Sequence, residues 1–569
     1  MASVVYRWSQ TAQNPIDRAT KVAGILSSIR TESQANPNGT FSDLCHYMTD
    51  TDLFSEAYAR LKRRKGVQLP SLVRVPPNFS VDEIGREIRA GRPIRFSRHT
   101  EAPQVNLGKD RRKFHKRQRI VELRRTDVPG RDQCVLEVMR MLMSAVFEPT
   151  FSDRAYGYRS DGRNPHQCLE AIRRTVQDAD WVITLDLRDE IENVDIQRIL
   201  QAASTRISDS VFLLAVKSAL KNGHWGFQDL LGSLSGSLPA RGFTGVLVNA
   251  ILHPLDISME KRAGSLAEFR AKDMSDRVSA LDLKSVTGSR EREPFSTLVL
   301  NKMARDSAPG FSQREKEFSQ GFGWNSPNTF LRDGEYSRRD VRLFMRPSKD
   351  VRQLAYFRYG TQCIWLFRSP EKFARDTRDE IVMMLTSLGL PPKHEISLWN
   401  TNDVESDGRA AIFLGAKIHS ELKRDVSRKR LMMTTPGAFL IRKLQETQFA
   451  DEAGEGTARM SWMHFDKETI VKMYNFNTNR VLEYYSFVDN FHPTCQRVLF
   501  VMRTSCARLL SRKHKMRSRA KVFKKWGRDL SRHGTEHPFD LRGPKERPQG
   551  IFQRHEFFQK YSRFTIVED

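Results

Sequence analysis

The densest run of side chains able to do chemistry lies between Arg508 and Arg528, where ten Lys or Arg occur without an Asp or Glu. His514, Phe523 and Trp526 are interleaved with them. Fixed cations beside aromatic rings suit a phosphate backbone whose bases can stack, although a charge run is often only a solvated face. Lys513, His514, Lys515, Arg517, Arg519, Lys521, Lys524 and Lys525 are the candidate contacts. A second basic stretch, 93–125, reads equally as a solvated loop or as a surface turned toward nucleic acid. Across the chain, 94 Lys and Arg stand against 68 Asp and Glu, a net charge of +26. That excess calls for a polyanionic partner, nucleic acid or an anionic membrane surface. No apolar run approaches the ~18 residues needed to span a bilayer. The six cysteines are scattered with no C-x-x-C pair, which argues against a zinc module or a disulfide framework and fits a reducing compartment.

The elements that would position such groups are mixed. At 569 residues the chain has length for about two to four domains with real cores. Tyr356–Tyr359 and Gln362–Phe367 are rich in aromatic and β-branched residues around Gly360, the pattern of a tight β-hairpin. Leu53, Ala57 and Leu61 share one helical face after Asp50-Thr-Asp, and Ser42 or Asp43 can cap a preceding helix. Ser80 and Glu83 have the spacing of a capping box. Leu136, Met139, Leu142, Met143 and Val146 form an apolar stripe that reads as core. So do Val498, Val501, Met502, Ser505 and Leu509. His253 sits on a helical pattern as a packing residue rather than a ligand. Residues 257–350 are polar and turn-rich without clear period, an irregular insertion. The first thirty residues carry Arg7, Arg18, Lys21 and Arg30 against Asp17 alone, compatible with an organelle presequence and equally with an ordinary basic start.

Several stretches together resemble the reverse transcriptase-like maturases encoded by group II introns, over roughly residues 40–530. Residues 131–166, ending in FSDRAYGYRSDGRNPH, are similar to the family's D-R…E-P-x-F-S-x-x-S-Y-G-F-R-P-x-R-S-x-H. Trp181–Asp186 resembles its first palm strand, Leu247–Asp256 its L-L-A-N-I-x-L-H-x-L-D helix, and Ile412–Ile418 its F-L-G strand. The segment 466–530 resembles the maturase domain, with Ile470, Tyr474, Asn475, Arg480, Tyr484, Tyr485, Asn490, Ser505, Lys513, His514, Lys515, Phe523, Lys525 and Gly527 in matching positions.

The departures fall where the family does chemistry. Its Y-x-R-Y-A-D-D hairpin reads Tyr356-Phe-Arg-Tyr-Gly-Thr361-Gln362 here. The resemblance places a metal-binding carboxylate at Asp186, and the two further aspartates are replaced by Thr361 and Gln362. A hydroxyl and an amide cannot replace two anionic ligands of Mg²⁺. The family's nucleotide-closing aromatics are Glu190 and Ile191 here, and its P-Q-G loop is Pro239-Ala-Arg-Gly.

The resemblance implies an α+β fold, a right-hand polymerase frame (fingers, palm, helical thumb) followed by a helical maturase domain. Its divisions are an N-terminal extension at 1–37, fingers at 38–175 and a palm at 176–420. A thumb at 421–465, the maturase domain at 466–530 and a tail at 531–569 follow. It implies an intron-binding splicing cofactor whose reverse transcriptase activity is lost, so that catalytic residues are reduced to the remnant Asp186. RNA contacts are expected at Arg159, Arg163, Arg480, Arg503 and the basic run. Tyr484 and Tyr485 are expected there as stacking platforms, or else as core. The partner is group II intron RNA, with other splicing factors as candidate companions and no membrane. The protein needs no metal or cofactor of its own, Mg²⁺ entering only with the RNA. Mitochondria are the expected compartment, chloroplasts the alternative. Two rivals remain: an active reverse transcriptase of a mobile intron, and a structural RNA-binding subunit of an organellar ribonucleoprotein such as a ribosome.

Overall fold

The computed structural model describes residues 15–64, 81–98 except 93, 130–264 except 177, 228–232, 236, 238–239 and 241, then 352–401, 411–423, 428–527 and 530. Ser80, residues 93 and 99–125 of the basic stretch 93–125, residues 265–350 of the expected insertion 257–350, Pro239, Arg241 and the tail from 531 lie outside these residues.

Helices α1 (Pro15–Ala35), α2 (Leu44–Tyr47), α3 (Thr51–Arg64) and α4 (Val81–Arg89) precede α5 (Gly130–Phe147). The expected N-terminal extension is therefore largely a helix of the fold. Val22, Leu26 and Ile29 of α1 are buried, and Ser33 donates 2.6 Å to the Val146 carbonyl of α5. α5 was expected to bury one stripe; instead nearly every side chain of it is buried. A helix hydrophobic all round belongs at the centre of a layer, and α1 and α3 both pack on it.

α6 (Pro165–Thr175) leads into strand β1 (Trp181–Asp186), followed by α7 (Arg188–Glu192), α8 (Ile196–Ser204) and α9 (Ser210–Lys221). α10 runs over 244–264. The expected hairpin is β2 (Gln353–Tyr359) and β3 (Gln362–Arg368). After α11 (Glu371–Ser387) comes the short β4 (Leu398–Asn400). These four strands make an antiparallel sheet ordered β2-β3-β1-β4. Its two faces are set by the period of two along β3. Cys363, Trp365 and Phe367 join the core built on α5, whereas Ile364 and Leu366 join a second core built on the C-terminal helices. Both faces are covered, so the run Cys363–Phe367 is continuously apolar.

Ile412–Ile418 was expected to be one strand. It is a tight turn between β5 (Ile412–Phe413) and β6 (Ala416–Lys423), with Leu414 and Gly415 at φ +48° and +70°. With β7 (Arg428–Thr434) these form a separate three-stranded sheet. Helices α12 (Gly437–Glu446), α13 (Lys467–Tyr484), α14 (Phe491–Lys513) and α15 (Arg519–Trp526) complete the described chain. The face of α14 expected to be core is buried: Val498, Val501, Met502, Ser505 and Leu509. No helix among the described residues is long and apolar enough to cross a membrane.

Candidate functional site

The β2–β3 hairpin turns on Gly360 and Thr361. Gly360 has φ +62°, as the first central residue of a II′ turn requires. A methyl group there would lie 2.9 Å from the Tyr158 ring. Beneath the turn, Arg358 is fully buried and pairs bidentately with the equally buried Asp256, at 2.8 and 2.6 Å. Its remaining nitrogen donates 2.8 Å to Asn249 Oδ1 and to the Gly360 carbonyl. Tyr356 donates to Asp256 at 2.6 Å, and Asn249 donates to the Gly157 carbonyl. The polar residues of α10 thus lock it to the hairpin.

Register sets Asp186 opposite Gln362, so the structure brings together all three positions singled out there. Asp186 remains 39% exposed at its side chain, but its oxygens are already occupied. Thr361 Oγ1 donates 2.7 Å to Oδ1, and Gln362 Nε2 lies 3.5 Å from Oδ2. Arg188 donates from its backbone at 3.1 Å and its guanidinium at 3.2 Å. One carboxylate facing a hydroxyl, an amide and a guanidinium is an ion pair with neutral donors, not a cage of hard anionic oxygens. Among the described residues, no cluster of three or more His, Cys, Asp or Glu is placed to hold a metal.

Beside Asp186 opens a pocket of about 280 Å³ lined by Asp189, Glu190, Glu395, Lys393, His394 and Trp399, among others. Glu190 accepts from the Lys393 backbone at 3.1 Å and Ile191 is buried in the core. The pocket thus sets three further carboxylates, Asp189, Glu190 and Glu395, beside the basic Lys393 and His394.

Gln362 does more than face Asp186. Its amide nitrogen lies 3.4 Å from the Ser235 carbonyl, and its oxygen accepts from Leu414 N at 3.1 Å. The Leu414 carbonyl in turn accepts from the Tyr484 hydroxyl at 2.7 Å. The Tyr485 hydroxyl lies 3.4 Å from the Gly415 carbonyl. On the far side, His166 Nε2 is 2.8 Å from the Tyr484 carbonyl, and Arg173 donates to the Phe487 carbonyl at 2.9 Å. Polar contacts therefore run from the Asp186 position through the 414–415 turn into the C-terminal helices. Burial pulls the His166 imidazole down to about 4, against the pull of its carbonyl partner.

Three expected contacts, Tyr484, Tyr485 and Arg480, are corrected here. Tyr484 and Tyr485 are both fully buried, because they close the joint between α13, the 414–415 turn and His166. They are not stacking platforms. Arg480 is also buried, 6% exposed, with its guanidinium 5.3 Å from the Phe476 ring; it faces protein rather than solvent. Arg163 is half-buried and engaged by Asp153 and Asp161. Arg159 lies over Phe151 at 5.5 Å. Arg503 is half-buried on α14.

The basic run is arranged differently. His514, Lys515, Arg517, Arg519, Lys521, Lys524 and Lys525 are exposed where α14 meets α15. The absence of acids in sequence does not hold fully in space: Asp451 and Glu455, in a loop before α13, approach Arg508, and Glu455 lies 3.5 Å from Arg519. Lys513 is half-buried and donates 3.0 Å to the Met463 carbonyl. Among the described residues no acid pairs with Lys515, Arg517, Lys521, Lys524 or Lys525. Sequence reading missed Lys467, whose ammonium reaches the Trp526 ring from the start of α13 at 4.9 Å. No spacing within the run points to it.

Comparison with known proteins gives this region a family. Residues 428–561 match the type II intron maturase family, a span wider at both ends than 466–530. Similarity extends along most of the chain. An uncharacterized 91 kDa protein in the cob intron of Schizosaccharomyces pombe is 23% identical over 90% of this chain and 59% of its own length. The uncharacterized mitochondrial protein ymf11 of Marchantia polymorpha is 24% identical over 71% of this chain and 56% of its own. The group II intron-encoded protein LtrA of Lactococcus lactis subsp. cremoris is 22% identical over 86% and 78%. The chain thus spans less than two thirds of the first two relatives.

Proposed function

We propose that this chain, a group II intron maturase by its C-terminal domain and its relatives, binds intron RNA and promotes its folding and splicing without polymerase activity. The observation that carries the reading is the exposed basic surface of α14 and α15, inside the matched domain, where Lys515, Arg517, Lys521, Lys524 and Lys525 have no acid partner among the described residues, while Arg508 and Arg519 are approached by acids. Unpaired cations held this close repel one another, and a phosphate backbone relieves that repulsion while releasing its own counterions. The RNA supplies the reacting groups and their Mg²⁺; the protein supplies charge neutralisation and shape.

The antiparallel sheet and its flanking helices are read as a polymerase-like frame put to structural use. Asp186 is the position resembling a metal ligand, and Thr361, Gln362 and Arg188 spend its oxygens on hydrogen bonds. Mitochondria are proposed as the compartment on the similarity to a protein named mitochondrial.

Crosslinking the chain to RNA in its own compartment and sequencing what is recovered tests the reading. Enrichment of intron RNA is the expected result, and enrichment of ribosomal RNA instead would move the protein to a structural subunit. Primer extension should give no product; extension abolished by Asp186→Ala would restore a polymerase.

A further inference from the structure

Trp526, at the end of α15, is 5% exposed. Three cationic or ionisable groups from three helices converge on its ring. The Lys467 ammonium at the start of α13 lies 4.9 Å from it, the Lys525 ammonium of α15 5.1 Å, and the His514 imidazole after α14 5.0 Å. A ring face attracts one cation, but it cannot offset the mutual repulsion of several. That repulsion is visible in the groups themselves. Burial and then Lys513, Lys525 and Lys467 hold the His514 imidazole below its ordinary range. Burial lowers Lys467, Glu468 opposes this, and Lys525 lowers it further. The other nearby acid, Asp466, is committed to capping α13, accepting from Thr469 N at 3.0 Å and Thr469 Oγ1 at 2.6 Å. Among the described residues neither Lys467 nor Lys525 has an acid within ion-pairing distance.

We infer that the Trp526 indole floors a binding site for one RNA phosphate, gripped by Lys467, Lys525 and His514 from three different helices. The inference rests on the RNA-binding reading above and adds to it a discrete contact containing Lys467, which lies far from the basic run in sequence. It also adds a proton. A bound phosphate favours the imidazolium, so the complex takes up a proton at His514 and affinity rises as pH falls through the histidine range. Trp526 orients the site and need not touch the RNA.

The test is filter binding of the full-length chain to a labelled RNA stem-loop over a series of KCl concentrations and at pH from about 8 to about 6. Lys467→Gln should lower the slope of log K against log salt by about 0.7–0.9, the share of one phosphate contact. Its loss of affinity between about 50 and 200 mM salt should be about threefold smaller than that of the wild type. Lys467→Arg should restore the slope. With His514→Gln, affinity should rise less steeply than in the wild type as pH is lowered. Melting curves of each substituted protein separate these effects from unfolding, and Lys467→Arg tests the charge in a chain that keeps its fold. Wild-type binding with unchanged slope in Lys467→Gln and unchanged pH dependence in His514→Gln overturns the site while leaving the RNA reading standing. No binding of the stem-loop by the wild type overturns both.

Discussion

The Asp186 centre and the α14–α15 surface are both rich in polar and charged groups, and they treat them in opposite ways. Around Asp186 the charges are consumed by the protein: Asp186 by Thr361, Gln362 and Arg188, and Arg358 by Asp256. On α14 and α15 most of the cations face solvent without acid partners among the described residues. Groups neutralised internally hold a fold together but offer little to a ligand. Groups left unneutralised add little to the fold and are available to an anion. The contrast assigns structure to the first region and binding to the second, although the residues at the first are those where a catalyst would be sought.

If the first region is structural, breaking its most buried pair should cost most. Arg358→Ala leaves Asp256 charged and unpaired in the core, and should lower stability by about 3–5 kcal/mol, read by chemical denaturation. A loss of less than about 1 kcal/mol would show that the network is dispensable.

His166 sharpens the same side of the comparison through pH. Its folded value is about 4 against about 6.5 for an exposed histidine. Between those values the unfolded chain binds the extra proton, so stability rises with pH across the window and is lost as pH falls through it. Over the full window this amounts to something on the order of 3 kcal/mol. Melting temperature followed from pH 7 downward should fall less steeply in His166→Gln than in the wild type. Parallel profiles would place the proton elsewhere.

Restoring acids at the hairpin should harm rather than reactivate. Thr361→Asp with Gln362→Asp sets two carboxylates against Asp186 and removes the amide that reaches Ser235. A stability loss of about 1–3 kcal/mol with no primer extension is expected; template-directed synthesis by the doubly substituted protein would contradict the structural role. Tyr484→Phe is milder. It deletes one buried hydroxyl bonded to Leu414 and should cost about 0.5–1.5 kcal/mol in thermal melts, leaving the salt slope of RNA binding unchanged. A changed slope would return Tyr484 to the RNA interface.

How far the sequence disclosed this arrangement depended on whether the signal was local. The hairpin was legible because Cys363–Phe367 is continuously apolar and Gly360 marks its turn. The basic run was legible as composition. The α1 helix carried a readable spacing in Val22, Leu26 and Ile29, but small and charged residues between them diluted it. Gly415 signalled that Ile412–Ile418 bends, since a glycine inside a strand pattern marks a turn or bulge, yet the apolar residues around it read as one strand. For Tyr484 and Tyr485 the sequence left stacking platform and core both open, and the structure bears out the second. Consecutive residues at a helix end point different ways, and only the 414–415 turn and His166, distant in sequence, bury both. The approach of Asp451 and Glu455 to Arg508 and Arg519 is likewise a tertiary fact with no local mark.

The most direct test of the division between the two regions is the salt dependence of intron RNA binding when Lys515→Gln, Lys521→Gln and Lys524→Gln are combined, measured beside the melting curve. These side chains are exposed and without acid partners among the described residues, so stability should stay within about 0.5 kcal/mol of the wild type. If all three meet phosphates, the slope of log K against log salt should fall by roughly 2–3. An unchanged slope in a folded triple mutant would show that the RNA lies elsewhere and that the exposed charge of α14 and α15 is only a solvated face.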